Sequence, residues 1–123
     1  VLACHASPGS QTSGLPADLD AAVAVQRVTR TDASVICCGH THVADVREFG
    51  RKLLVNPGSC GYAFDGSPDA CWAMLTIEAD SDPEATLHRA SYDPAPAAEE
   101  VSARGLPGDV YRAATIRTGR FVR

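Results

Sequence analysis

Two short apolar runs, Val1-Leu2-Ala3-Cys4 and Val35-Ile36-Cys37-Cys38, each lead into a histidine: His5 directly, and His40 after Gly39. Between them there is room for one loop and one helix. Strand, helix, strand in that order favours a parallel pair joined by a right-handed crossover, so the chain is constrained toward an α/β fold from its start. The segment from Ala6 to Pro16, with Ser7-Pro8-Gly9-Ser10 and Gly14, is loop. Asp18 or Asp20 caps a helix running to about Thr29, with Leu19, Ala22, Val23, Val25 and Val28 on or near one apolar face.

The second half reads differently. Val43 to Phe49 and Lys52 to Val55 flank Gly50-Arg51 as a tight hairpin. Asn56-Pro57-Gly58-Ser59-Cys60-Gly61 is a turn-rich loop, because Pro and two Gly residues interrupt regular structure. Ala70 to Glu78 and Ala85 to Tyr92 are strands around a polar turn. Pro94 and Pro96 end the sheet, Ala97 to Arg104 is a short helix, and Asp109 to about Arg117 is a last helical turn or two.

A length of 123 residues suits one domain. With 45% hydrophobic and 21% charged residues the composition is that of a soluble globular protein. A net charge of -4 argues against general nucleic-acid binding, and no apolar run approaches the roughly 18 residues of a membrane span. Cys4, Cys37, Cys38, Cys60 and Cys71 make an odd set without Cys-x-x-Cys spacing, which reads as small buried hydrophobes in a reducing cytoplasm. Val1 follows no initiator Met or signal sequence, so the chain is expected to begin inside a longer protein.

The chemistry concentrates in the histidines. Ligands of α/β sheets gather at the C-terminal ends of parallel strands, where His5, His40 and His42 all fall. Neighbouring strands are about 4.8 Å apart, so imidazoles from adjacent strand ends reach a common metal cluster. Gly39 relieves crowding before the Gly-His-Thr-His turn, on which the rings of His40 and His42 can diverge toward two ions. Neutral imidazole accepts Zn, Fe, Mn and Ni alike. His88 sits within a late strand and is read as an ordinary strand residue.

Val1-Leu2-Ala3-Cys4-His5-Ala6-Ser7-Pro8 resembles the His-Gly-x-Pro motif of calcineurin-like metallophosphoesterases, with Ala6 in place of the usual Gly. Gly39-His40-Thr41-His42 resembles their Gly-His-x-His motif, and Asn56-Pro57-Gly58-Ser59 the Asn-Pro-Gly-Ser loop of the small bacterial phosphodiesterase branch. Arg89 to Asp93 is similar to that branch's closing strand. The likeness covers most of Val1 to Asp93. The family's Asp-x-His, Gly-Asp and Gly-Asn-His motifs do not occur in these residues.

The resemblance implies a single partial domain over residues 1–123, the C-terminal half of an α/β/β/α sandwich of mixed sheets flanked by helices. It implies two divalent ions, with manganese among the candidates, and His5 and His40 on one ion and His42 on the other. Asn56 and Ser59 would support the ligands or simply shape their turn; Tyr62 and Phe64 would line a substrate pocket, with core packing the favoured role for Phe64. The activity implied is phosphodiester hydrolysis by a metal-bridging hydroxide, on a phosphate-ester small molecule or nucleotide. The general acid is expected before Val1, and so is the missing N-terminal half as a partner. The fragment alone is expected to be inactive and to leave a sheet edge or face uncovered. Two other readings compete: a non-catalytic metal-binding or protein-interaction module of the same fold, and a structural zinc site using Cys37 or Cys38 with His40 and His42.

Overall fold

The computed structural model describes residues 1–123. In chain order the elements are β1 (Leu2–Ala3), α1 (Ala21–Val28), β2 (Val35–Cys37), β3 (Asp45–Phe49), β4 (Lys52–Asn56), β5 (Ala70–Thr76), β6 (Glu84–Ala90), α2 (Ala95–Ala103) and α3 (Asp109–Thr118). The first four strands form one sheet in the order β1-β2-β4-β3, and β5 and β6 form a second, two-stranded sheet. β2 runs parallel to both β1 and β4, while β3 returns antiparallel to β4.

Period-2 alternation divides the first sheet into two apolar faces. On one face Ile36, Cys38 and Leu54 are buried with Leu15 and with Ala24 and Val28 of α1. On the other, Val35, Leu53 and Val55 pack against Ala73, Leu75 and Ala85 of the β5–β6 hairpin. The layers are therefore helix, sheet, sheet, with the two apolar clusters on either side of β2 and β4.

α1 starts where Asp20 caps it, its carboxylate accepting the amides of Ala22 and Val23 at 3.0 and 3.1 Å. Its buried stripe is narrower than expected. Ala24 and Val28, one turn apart, face the sheet, whereas Ala22 is exposed and Val25 is 47% exposed. A 100° step per residue carries Val25 off the stripe that Ala24 and Val28 define.

Two expectations about the last third need correction. β6 stops at Ala90, so Ser91 to Asp93 are not strand; Asp93 instead accepts the amide of Ala95 at 2.9 Å, turning the chain into α2. α2 starts at Ala95 rather than at Ala97, with Pro96 inside its first turn, whereas α3, Asp109–Thr118, matches its expected bounds to within a residue. Their interior is small: Ala98, Ala113 and Ile116 pack with Val101 and Tyr62. Polar contacts carry much of the hairpin. Asp109, 1% exposed, accepts from Arg104 at 2.8 Å, Arg112 at 3.0 Å and the Leu106 amide at 3.1 Å. A helix held by a buried carboxylate leaves little apolar periodicity to read.

Candidate metal centre

The parallel ladder of β1 and β2 continues past its last strand pair. The Cys4 amide donates to the Cys37 carbonyl at 2.9 Å, and the Gly39 amide to the His5 carbonyl at 2.8 Å. This brings His5 and the Gly39-His40-Thr41-His42 loop to adjacent strand ends on the carboxyl edge of the sheet. There His40 Nδ1 lies 3.0 Å from His5 Nε2, with ring centroids 5.0 Å apart and planes at 83°. Two nitrogens on one ion, each about 2.0–2.1 Å from it and roughly 90–110° apart, stand about 3 Å from each other. The pair has the spacing of two ligands of a single cation. Without a cation, one ring must donate its proton to the other.

The loop backbone is strained at both histidines. His40 has φ 70° and His42 has φ 58°, the left-handed region that side chains with a Cβ avoid. Asn56, 1% exposed at the end of β4, holds this conformation. Its Nδ2 donates to Thr41 Oγ1 at 2.8 Å and to the Gly39 carbonyl at 3.3 Å, and its Oδ1 accepts the Gly58 amide at 3.0 Å. Gly58 has φ 80°, and a Cβ there would stand 3.1 Å from that of Ala44 and 3.2 Å from that of Cys71. Asn-Pro-Gly is thus a brace behind the Gly-His-Thr-His turn.

His42 stands apart from the other two rings. Its Nδ1 is 2.6 Å from the Tyr62 carbonyl. A carbonyl only accepts, so Nδ1 carries the proton and Nε2 keeps its lone pair, the tautomer that a metal-binding imidazole adopts when its other nitrogen is so held. Phe64 stacks on the ring at 4.6 Å and 13°, and the Phe64 amide donates to the His42 carbonyl at 3.1 Å. Ser59 shapes this second loop: its Oγ accepts the Tyr62 amide at 2.9 Å and the Gly61 amide at 3.4 Å.

The three predicted ligands therefore form a pair and a single, and nowhere do three or more His, Cys, Asp or Glu side chains converge as a metal-holding group. The donor chemistry fits a divalent ion at His5 and His40, with a further lone pair at His42, but not a closed site. The cysteine-zinc arrangement does not form. Cys38 lies in the apolar cluster beside α1, where burial pushes its thiol up to about 12. Burial also raises the thiol of Cys37, which packs on the opposite face. All five cysteines are free. His88 stacks on Trp72 at 4.3 Å and pairs with Thr86 on the hairpin.

Two contributors escaped the sequence reading. Thr41 receives the Asn56 amide, a role its place between two histidines could have suggested. Phe121, from the tail after α3, packs edge-on against Phe64 at 5.0 Å and carried no signal at all. Phe64 itself, expected in the core, is half-buried against His42. Tyr62 packs partly with the α2–α3 cluster.

The model of the calcineurin-like phosphoesterase superfamily domain matches residues 1–80. A crystal structure of a metallophosphoesterase from Sphaerobacter thermophilus superposes with a TM-score of 0.73 at 23% identity, over 95% of this chain and 54% of that one. The chain thus spans about half the length of that protein. Vps29 structures align more weakly. A double mutant from Entamoeba histolytica gives a TM-score of 0.34 at 23% identity, over 49% of this chain and 41% of its own. Vacuolar protein sorting 29 from Cryptosporidium parvum gives 0.39 at 22% identity, over 59% and 45%. No curated protein matches the chain. Its sheets and helices have the metallophosphoesterase fold, and the chain belongs to the calcineurin-like phosphoesterase superfamily.

Proposed function

We propose that this chain supplies three histidines to a two-ion phosphoesterase site: His5 and His40 to one divalent ion and His42 to the other. The observation that carries the reading is the 3.0 Å approach of His40 Nδ1 to His5 Nε2 at the carboxyl ends of parallel strands. A pair of divalent ions, when bound, neutralises phosphoryl charge and acidifies water, which supplies the chemistry of phosphodiester hydrolysis. The chain's own residues orient that chemistry. The Tyr62 carbonyl keeps the His42 proton on Nδ1, and Asn56 holds the backbone that aims His40 and His42. Manganese, iron, zinc and nickel all suit imidazole donors.

The substrate class in this reading is a phosphate diester, as a small molecule or nucleotide. The remaining ligands, including carboxylates, and the general acid come from outside these residues. No helix is long and apolar enough to cross a membrane. A cytoplasmic setting, in which the free cysteines stay reduced, completes the proposal.

The test is hydrolysis of an aryl phosphodiester by the intact protein with and without added divalent metal. His40→Ala and His42→Ala should each lower the metal-dependent rate by orders of magnitude and leave folding in place. Near-normal turnover by either variant rejects the assignment. A second reading, a non-catalytic metal-binding or interaction module, draws on the contacts of the rings: His5 and His40 with each other, and His42 with a carbonyl and an aromatic ring. Metal uptake by the intact protein with no turnover of any phosphodiester would favour it.

A further inference from the structure

Residues beyond the family match reach the candidate metal centre through a chain of rings. Phe64 lies flat on His42 at 4.6 Å, and Phe121 meets Phe64 at 5.0 Å and 61°. The backbone runs alongside. The Gly66 amide donates to the Gly119 carbonyl at 2.8 Å, and the Val122 amide to the fully buried Thr115 hydroxyl at 3.0 Å. The tail after α3 is thereby fixed on both sides of Phe121, and Phe121 is fixed against Phe64.

We propose that Phe121 and Phe64 form a brace that positions the imidazole of His42; its consequence for metal binding rests on the function proposed above. The need for a brace is physical. His42 holds a left-handed backbone, and the terminal torsion of an imidazole is soft, so one hydrogen bond to Tyr62 leaves the ring free to tilt about it. A stacked ring removes that freedom, and an edge-on ring behind it stops Phe64 from moving away. Phe121 is 56% exposed, far more than a core aromatic. Removing it empties little apolar interior, so the effect falls on the stack rather than on the fold. Both rings are positioning residues in this proposal, since neither has an atom that would bind metal.

The experiment uses the full chain with Phe121→Ala and Phe121→Tyr. In metal-free protein the His42 ring protons, lying over the Phe64 face, should be displaced upfield in the NMR spectrum. Phe121→Ala should move them back toward free-histidine positions, and Phe121→Tyr should keep them. In the intact protein, manganese or zinc affinity should fall about tenfold in Phe121→Ala and recover in Phe121→Tyr, as for other groups that orient a metal-binding histidine. Unchanged His42 signals in folded Phe121→Ala overturn the proposal, even if metal binds and turnover is normal. Shifted signals in a protein that takes up no metal leave the brace standing and remove the phosphoesterase reading. Should Phe121→Ala fail to fold, Phe121→Leu, which keeps apolar bulk without the aromatic ring, reads the same signals with the same two outcomes.

Discussion

The side-chain amide of Asn56 donates to the hydroxyl of Thr41 at 2.8 Å, tying the end of β4 to the loop that carries His40 and His42. Asn56 is buried and uses both ends of its amide, so a substitution strands several partners at once. Asn56→Ala should cost about 2–3 kcal/mol, the range expected when buried hydrogen-bonding groups lose their partner. Asn56→Asp should do no better, because a carboxylate cannot donate to Thr41 or Gly39. Denaturant unfolding measures this, and a loss below a few tenths of a kcal/mol would mean that the loop holds itself.

The left-handed backbone of His40 predicts a conflict between stability and function. At φ 70° a glycine is at ease and an alanine is not. His40→Gly should therefore be more stable than His40→Ala by about 1 kcal/mol. Both should lose metal binding in the intact protein, since either removes one member of the His5–His40 pair. Comparing the melting curves of the two variants checks the first claim. Equal stabilities would show that the loop relaxes to an ordinary conformation once the ring is gone.

How far the sequence revealed this architecture depends on what holds each part. β1, α1, β2 and the β3–β4 hairpin were legible because apolar alternation and an Asp cap dictate them locally. The approach of His5 to His40 was legible because adjacent parallel strands place their ends together. What stayed hidden depends on contacts distant in sequence. The ring of His42 meets Tyr62 and Phe64, and Phe64 in turn meets Phe121, with no periodicity linking them. The anchor of α3 also stayed hidden, because Asp109 among arginines is a polar cluster that looks like surface in a sequence. The spread of the α1 stripe was overestimated because Val25, though apolar, points to solvent.

The cysteines should divide sharply in reactivity. Cys60 is exposed in the loop after Ser59, whereas Cys38 and Cys71 are buried. With its thiol pushed up to about 12 by burial, Cys38 carries thiolate at a fraction on the order of 10⁻⁴ near pH 8. Alkylation of the native chain should label Cys60 first, and Cys38 only after unfolding. Mass spectrometry of a short labelling reaction decides it; early modification of Cys38 would show that the β1–β2 face opens readily.

Gly119 predicts where the C-terminal hairpin is most vulnerable. A Cβ at this position would lie 2.2 Å from the carbonyl carbon and oxygen of Ser67, and φ is 64°. Backbone cannot swing aside as a long side chain can, so Gly119→Ala combines overpacking with a conformational penalty, together about 2–4 kcal/mol. The Gly66–Gly119 hydrogen bond should break first, raising amide exchange at Gly66 and freeing the tail. Unchanged protection at Gly66 in Gly119→Ala would contradict the contact.

Asp109 makes the hairpin acid-sensitive in a defined direction. The hydrogen bond from Arg104 is the main cause that holds its carboxyl below the usual aspartate range; burial opposes the shift, and the Leu106 amide and Arg112 add to it. A carboxylate whose pKa is lowered by folding contributes stability that is fully present above the unfolded value of about 4. That contribution fades as pH falls from there through the folded value, because the unfolded chain then binds the proton more readily. Asp109→Asn keeps the shape and cannot titrate. Wild type should exceed it in melting temperature by a constant margin from about pH 7 down to about pH 5, and the margin should shrink toward about pH 3. Loss of the Arg104 and Arg112 pairs should surface first as fraying of α2 and α3, with the four-stranded sheet still protected from exchange. A margin equally large at the acid end would mean that Asp109 acts through packing alone.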